Sequence, residues 1–474
     1  MMTTFLHGLL LAIIGTSPGD SWAGFRGDGT STTFAVHLPL NWTGRDNIAW
    51  RVELPGYGQS SPVVWNGRVF LTATEGAEKE KLLILAVDAR TGAVLWQRDF
   101  PATQRGKNNP AMSRAAPTPL VDAQGVYAFF ESGDLIALDH NGQVKWQRSL
   151  TKEYGPFQNN HGLASSPAQT DSAVIVLIDH GGPSYLLAVE KSTGINLWRV
   201  ERPSRMSWTS PIVARHRGKD LLIVSSSGAL NAYDAANGEA LWELADLNGN
   251  NIPSPVYFDG FLVVGAGENR LKPDLVASQR SNCCLKLTDD APGYEVVWRG
   301  RKAVAHHASP LIHAGHVYIV TKPGLVFCLD LATGEERYSE RLDNPCWATP
   351  IGAADRVYFF GKDGVTTVLK AGPKYEKLAT NRLWTEAEFQ ARKEQAKSRP
   401  ENRIPMPMGG GPPAPMGSVP PAPVGSAPPA TLSPAQRESM IAEAVGDVVY
   451  GVAVVDGTFF VRTGTELICI RSRD

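Results

Sequence analysis

Residues 86–96 read Ala-Val-Asp-Ala-Arg-Thr-Gly-Ala-Val-Leu-Trp, and the pattern returns along the chain. Gly92 precedes Trp96, Gly194 precedes Trp198 and Gly238 precedes Trp242 at one constant spacing. The shorter turn Asp139-His140-Asn141-Gly142 keeps that spacing to Trp146, Gly334 keeps it to Tyr338, and Trp298 closes a degenerate copy. Upstream of each turn runs an apolar stretch such as Leu135-Ile136-Ala137-Leu138-Asp139. Further upstream, Ser or Thr precedes a proline at Pro62, Pro119, Pro167, Pro211, Pro255, Pro310 and Pro350. Most of these prolines are followed at a fixed distance by an apolar residue that opens a strand: Val69, Val126, Val174, Leu262, Val317 and Val357.

Short runs of β-branched and apolar residues bounded by turn signals are strands. In Asp-x-x-Thr-Gly the Asp accepts backbone N–H groups and the Gly supplies a positive φ, which makes a hairpin turn. Each repeat is therefore a four-stranded antiparallel sheet of about 40–55 residues, the unit of a β-propeller. The Trp lies near the start of the outermost strand and packs its indole against the next blade. Asn47 to Val52 reads as an outer strand with no blade before it, and Val449 to Ile470 supplies three strands without a Trp-bearing fourth. Pairing the two ends closes an all-β ring over residues 47–474 and removes its open edges. The docking positions Trp50, Trp96, Trp146, Trp198, Trp242, Trp298, Tyr338 and Trp384 predict eight blades. Seven is the alternative, because the stretch around Cys283 is irregular.

Composition narrows the function. With 46 basic and 47 acidic residues the net charge is -1, so no basic excess exists to neutralise phosphates and nucleic acid is excluded as a partner. Five cysteines in 474 residues do not make a disulfide scaffold. Leu9 to Ile14 is a short apolar run and Ser21-Trp22-Ala23 a small-residue cleavage site. Residues 1–23 are thus expected to be a signal peptide, giving a periplasmic or secreted protein with no transmembrane segment. Residues 385–445 form an insertion between the seventh and eighth blades. Its 400–434 stretch is proline-rich, and no charged residue occurs from Ile404 to Gln436, a composition that stays extended. Thr385-Glu386-Ala387-Glu388 has the pattern of a capping box opening a helix before it, and Ser433-Pro434 that of a cap opening one at its end.

These repeats resemble the eight-bladed quinoprotein-like propellers, the PQQ-like repeat family, and Ala86 to Trp96 is similar to its tryptophan-docking motif. Phe25-Arg26-Gly27-Asp28-Gly29 and Asn47-Ile48-Ala49-Trp50 resemble exported bacterial members with no defined chemistry. The resemblance implies one of two functions. The family includes PQQ- and calcium-dependent alcohol dehydrogenases, and an outer-membrane assembly factor whose propeller is a non-enzymatic scaffold. The dehydrogenases cover their quinone with a vicinal disulfide, and Cys283-Cys284 is such a pair. It lies, however, in Ser281 to Leu287, which reads as a strand whose successive side chains take opposite faces. No Glu/Asn/Asp calcium set stands out, so neither PQQ nor Ca²⁺ is expected.

The other chemistry-bearing residues divide in the same way. Cys328 and Cys469 occupy the slot held elsewhere by Ala86 and Ala137 and are small strand residues, whereas Cys346 falls in a loop and is expected to be more exposed. His313 and His316 flank a hairpin turn and are expected to be solvated. Residues just before the Ser/Thr-Pro step enter the innermost strand and line the channel mouth. These are Tyr57, Gln59, Arg114, His161, Trp208, Asn251, His306, His307 and Trp347, a mixture of aromatic, amide and cationic groups suited to a ligand or peptide. No catalytic set and no metal site is apparent. The expected function is an exported binding or scaffold propeller with a protein partner in the cell envelope; the alternative is a PQQ- and calcium-dependent alcohol or sugar dehydrogenase.

Overall fold

In the computed structural model, which describes residues 21–108, 112–159, 161–269, 273–398 and 448–472, the Asp88 carboxylate accepts the backbone N–H groups of Arg90 and Thr91 and the Thr91 hydroxyl. Gly92 follows with φ +78°, and the strand register shifts between Ala86 and Val87 to admit the extra turn residue. Asp330 and Gly334 repeat this construction. Every such turn joins the third and fourth strands of an antiparallel sheet. Eight sheets with four blade strands each form the ring.

The first blade comprises Val63–Trp65, Arg68–Glu75, Lys81–Asp88 and Val94–Pro101. The eighth comprises Gly451–Val455, Thr458–Arg462 and Glu466–Ile470, completed by Ile48–Glu53 from the other end of the chain. Ile48–Glu53 pairs antiparallel with Glu466–Ile470, setting Trp50 opposite Cys469. The ring is closed by its own ends, as the half-blades of the sequence require.

The glycine at each turn does two things. Its positive φ makes the turn, and its missing side chain admits the Trp of the preceding blade. A Cβ on Gly92 would lie 2.7 Å from the Trp50 ring, and one on Gly194 would lie 2.7 Å from the Trp146 ring. The indole N–H then donates to a carbonyl of the same turn: Trp50 to Ala89, Trp96 to His140, Trp146 to Lys191, Trp198 to Ala235 and Trp298 to Leu331.

The residue before each proline builds a second bond between blades. The hydroxyl of Thr118 accepts the Ser61 N–H, Ser166 that of Thr118, Ser210 that of Ser166, Ser254 that of Ser210, and Ser309 that of Ser254, at 2.8–3.0 Å. Thr349 accepts from Ser309 at 3.3 Å. All of these residues but the half-buried Thr349 are buried, where an unpaired N–H would cost about 1–3 kcal/mol. The Ser/Thr-Pro step is thus a belt of hydrogen bonds around the channel. It stops at the eighth blade, where Gly451-Val452 stands in place of Ser/Thr-Pro.

Three expectations need correction. Trp384 does not occupy the docking register of the seventh blade: Val368 pairs with Ala379, the position where Ala86 faces Trp96. Trp384 lies past the end of that strand, buried under the helix Glu386–Ser398, with its ring against Phe389 and the Arg392 guanidinium. Thr385 and Glu388 cap that helix reciprocally, and Arg392 ties it to Glu466 of the eighth blade at 2.7 and 2.9 Å.

Second, two short strands from before residue 47 join sheets of the ring. Ser21–Trp22 adds a strand to the first blade and Thr32–Thr33 one to the seventh, and Trp22 is buried. Third, Cys346 is buried rather than exposed, and His313 is wedged against Gly352 of the next blade with its Nε2 on the Ala354 carbonyl. The proline-rich stretch 400–434 and the helix expected at Ser433-Pro434 lie outside the described residues.

Candidate functional site at the channel mouth

The nine mouth residues fall into three groups, each fixed by backbone bonds. In the first, Gln59 N–H donates to the Arg114 carbonyl at 3.0 Å and Gln59 Oε1 accepts the Arg114 N–H at 2.9 Å. The Arg114 guanidinium stacks on Tyr57, 3.4 Å from the ring centroid, and the Tyr57 hydroxyl bonds the Tyr450 hydroxyl at 2.8 Å. In the second group His161 meets Trp208 edge-on at 5.9 Å; Trp208 donates its indole N–H to Gly162 and its backbone N–H to Asn251. In the third, His307 stacks on Trp347 at 4.8 Å and 10°, Lys362 sits over the same indole, and His306 Nδ1 accepts the Lys322 N–H. The sequence assigns each of these residues to the rim by its position just before the innermost strand.

Arg462 was missed. It lies inside a strand, and nothing in the local pattern marks it as more than an outward-facing charge. In the fold it is fully buried beneath Tyr57, donating to Ser60 Oγ and the Thr72 carbonyl, each at 2.6 Å. Burial lowers its guanidinium to about 9, against the opposing pull of the Tyr57 and Tyr450 hydroxyls. Gly58 makes room for it, because a Cβ there would collide with Arg462 Nη2.

The opposite end of the channel is crossed by residues 21–33. The Ala23 carbonyl accepts from Val121 of the second blade, Gly29 rests on Ile212 of the fourth, and Arg26 reaches Pro255 of the fifth at 2.6 Å. Ser31 then bonds the Pro350 carbonyl beside the seventh. The mouth therefore opens onto a cup rather than a through-channel. Beside this crossing segment lies a cavity of about 580 Å³ bordered by Phe25, Trp65, Gln124, Asp171 and Arg215. Arg26 itself is buried with φ +62°, and burial lowers it to about 10.

The cysteine pair is not arranged as a disulfide cover for a quinone. Cys283 and Cys284 are free, fully buried in the third strand of the fifth blade, and face Arg299 and Trp298 on successive register positions. Burial pushes the Cys283 thiol up to about 12 and the Cys284 thiol further in the same direction. Neither thiol is at the mouth to cover a flat ring. Among the described residues no three His, Cys, Asp or Glu side chains converge as a metal site, and no helix is long and apolar enough to cross a membrane.

Comparison with known proteins agrees with this geometry. The outer membrane protein assembly factor BamB of Yersinia pestis is 27% identical over 229 residues, 47% of this chain and 52% of that protein. The chain thus spans about half the length of the curated relative it matches. A polyvinylalcohol dehydrogenase of a Pseudomonas species is 22% identical over 278 residues, 48% of this chain and 41% of that one. Among solved structures, BamB from Moraxella catarrhalis superposes with a TM-score of 0.55 at 11% identity, covering 90% of this chain and 98% of that one. Quinohemoprotein alcohol dehydrogenase from Comamonas testosteroni gives 0.58 at 13% identity, covering 97% and 82%. Such identities establish the shared fold and leave the chemistry open. A family model described as outer membrane protein assembly factor BamB matches residues 43–162, 156–271 and 288–404, most of the ring, and the protein belongs to that PQQ-like repeat family.

Proposed function

We propose that the protein is an exported envelope scaffold whose channel mouth receives a polypeptide partner. The observation that carries this reading is the one-ended cup. Aromatic, amide and cationic side chains are held rigidly around an open rim, while the far end is crossed by residues 21–33. Preorganised rims of this composition favour recognition, since little ordering is left to oppose binding. The family membership supports a scaffold, as does the failure of the cysteine pair to fit a quinone site. Export is part of the proposal, with processing at or before Ser21 so that Trp22 stays in the ring.

The test is a crosslinking pull-down from the native envelope. Wild type and a variant carrying Arg114→Gln, His307→Ala and Trp347→Ala should unfold alike, and the variant should lose the crosslinked partner. An identical partner set for both would overturn the mouth as the binding face. Separately, apo-protein given PQQ and Ca²⁺ should gain no dye-linked alcohol oxidation. Stoichiometric PQQ uptake that disappears on replacing Cys283 and Cys284 by Ser would establish the dehydrogenase instead.

A further inference from the structure

Three buried cations elsewhere in the ring face a carboxylate. Arg202 bonds Asp179 at 3.1 Å, Lys79 bonds Glu131 at 3.2 Å, and Lys191 bonds Asp122 at 2.5 Å. Arg26 of the crossing segment, Arg114 and Arg462 do not, and the last two lie together near Tyr57. Both are at most 1% exposed, and neither has a carboxylate partner among the described residues. The Nε and Nη1 groups of Arg114 and the Nε of Arg462 are buried without any acceptor. Both guanidiniums contact one short segment, Tyr57 to Ser60: Arg114 on the Tyr57 ring, Arg462 against Gly58 and Ser60.

Loose packing does not account for the arrangement. The Ala115 N–H is held by both Glu131 oxygens at 3.1 Å, Lys79 donates to the Ser113 carbonyl at 2.8 Å, and Gln59 grips Arg114 from the other side. Ala115 is fixed at φ +46°, a conformation that a non-glycine residue keeps only when its surroundings impose it. Backbone, carboxylate and lysine thus all act to hold Arg114 in place. A buried guanidinium with open donors and no counter-charge is costly, and its planar fork matches the two oxygens of a carboxylate.

We propose that Arg114 forms a carboxylate-binding site at the channel mouth, with Arg462, whose two Nη groups are bonded to Ser60 and Thr72, adding its charge from behind. It takes either the terminal or side-chain carboxylate of a bound polypeptide or a free small carboxylate. The inference rests on the mouth being the binding face and names the group that anchors there. An uncharged ligand would leave both guanidiniums uncompensated.

Three probes separate the sources: succinate, N-acetyl-tetraalanine with a free C-terminal carboxylate, and the same peptide as its amide. Binding is read by calorimetry and by melting temperature at constant ionic strength with sodium chloride. We expect at least one carboxylate probe to bind, the amide to bind at least about tenfold more weakly than the acid, and Arg114→Gln to weaken the acid by a similar factor without lowering the melting temperature of the ligand-free protein. Arg114→Lys, which keeps the charge and loses the fork, should fall between. Preference for the peptide acid assigns the site to a polypeptide, and preference for succinate to a free carboxylate.

No binding of either carboxylate probe, equal binding of acid and amide, or equal binding by wild type and Arg114→Gln would overturn the site. The partner pull-down reads independently: a partner retained without carboxylate binding sinks this inference alone. Carboxylate binding without a partner sinks the scaffold reading alone.

Discussion

Between the third and fourth blades, Trp198 of one blade lies over Gly238 of the next and donates to Ala235, all within one repeat period. Between the seventh and eighth blades the corresponding register position is Ala379, too small to reach across. That seam is filled from the N-terminal segment instead. Trp42 is buried against Tyr358, Phe360 and Phe459 at 5.8–6.5 Å, and Asn381 holds its backbone through the Trp42 N–H and the Leu40 carbonyl. The regular sector is stabilised locally, blade by blade. The closing sector depends on chain brought from the far end of the sequence, and it also carries the channel crossing, Arg462 and the interrupted hydroxyl belt.

The largest effect expected from this difference follows deletion of Ile48–Glu53. Without that strand the eighth blade has three strands and an exposed edge, so the chain should lose its cooperative melting transition and aggregate. Deleting residues 404–432 should leave the melting temperature nearly unchanged. Similar behaviour of the two deletions in calorimetry would contradict closure by the terminal strand.

Next comes a comparison of two tryptophans. Trp42→Ala should cost about 3–5 kcal/mol in denaturant unfolding, because a fully enclosed aromatic side chain leaves a cavity that the seam cannot close. Trp242 is only partly buried; it lies beside Tyr294 at 4.9 Å and packs on Gly293. Trp242→Ala should therefore fall at or below the lower end of that range. A larger loss for Trp242 than for Trp42 would mean that the repeat tryptophans, and not the N-terminal segment, limit the ring.

The regular sector was legible because its physics is local. Asp88, Gly92 and Trp96 lie within nine positions of one another, and turn chemistry plus spacing suffices to place them. The closing strand was legible too, since a half-blade at each end has only one partner. What the sequence hid is long-range or reverses a local pattern. Trp42 sits in a stretch with no strand alternation, Ala379 replaces the expected aromatic, and Trp384 nearby has the right residue type at the wrong register. The mouth residues could be assigned as candidates by their position before the Ser/Thr-Pro step. Arg462 could not, because its burial is set by Gly58 and Tyr57, some 400 positions away.

The smallest effect tests the regular sector by pH. In the third blade His180 is buried, and its Nδ1 accepts the N–H groups of Gln158 at 3.1 Å and Gly182 at 2.9 Å. Both bonds require that nitrogen to be unprotonated. Burial lowers the His180 pKa, with a backbone bond at Pro183 and the Asp179 charge acting weakly against it. The folded pKa thus lies below the unfolded value of about 6.5. Above that value both states are neutral and the contribution to stability is fully present. As pH falls below it the unfolded chain takes up the proton first, and stability declines until the folded pKa is passed. Asn places its Oδ1 where His carries Nδ1, so His180→Asn keeps the acceptor and removes the titration. The drop in melting temperature between pH 7.5 and 5.0 should be smaller in His180→Asn than in wild type, the difference cancelling the carboxylates that titrate in both. Equal drops would show that Gln158 and Gly182 do not depend on a neutral imidazole, and that this turn tolerates a charge the rest of the blade was built to exclude.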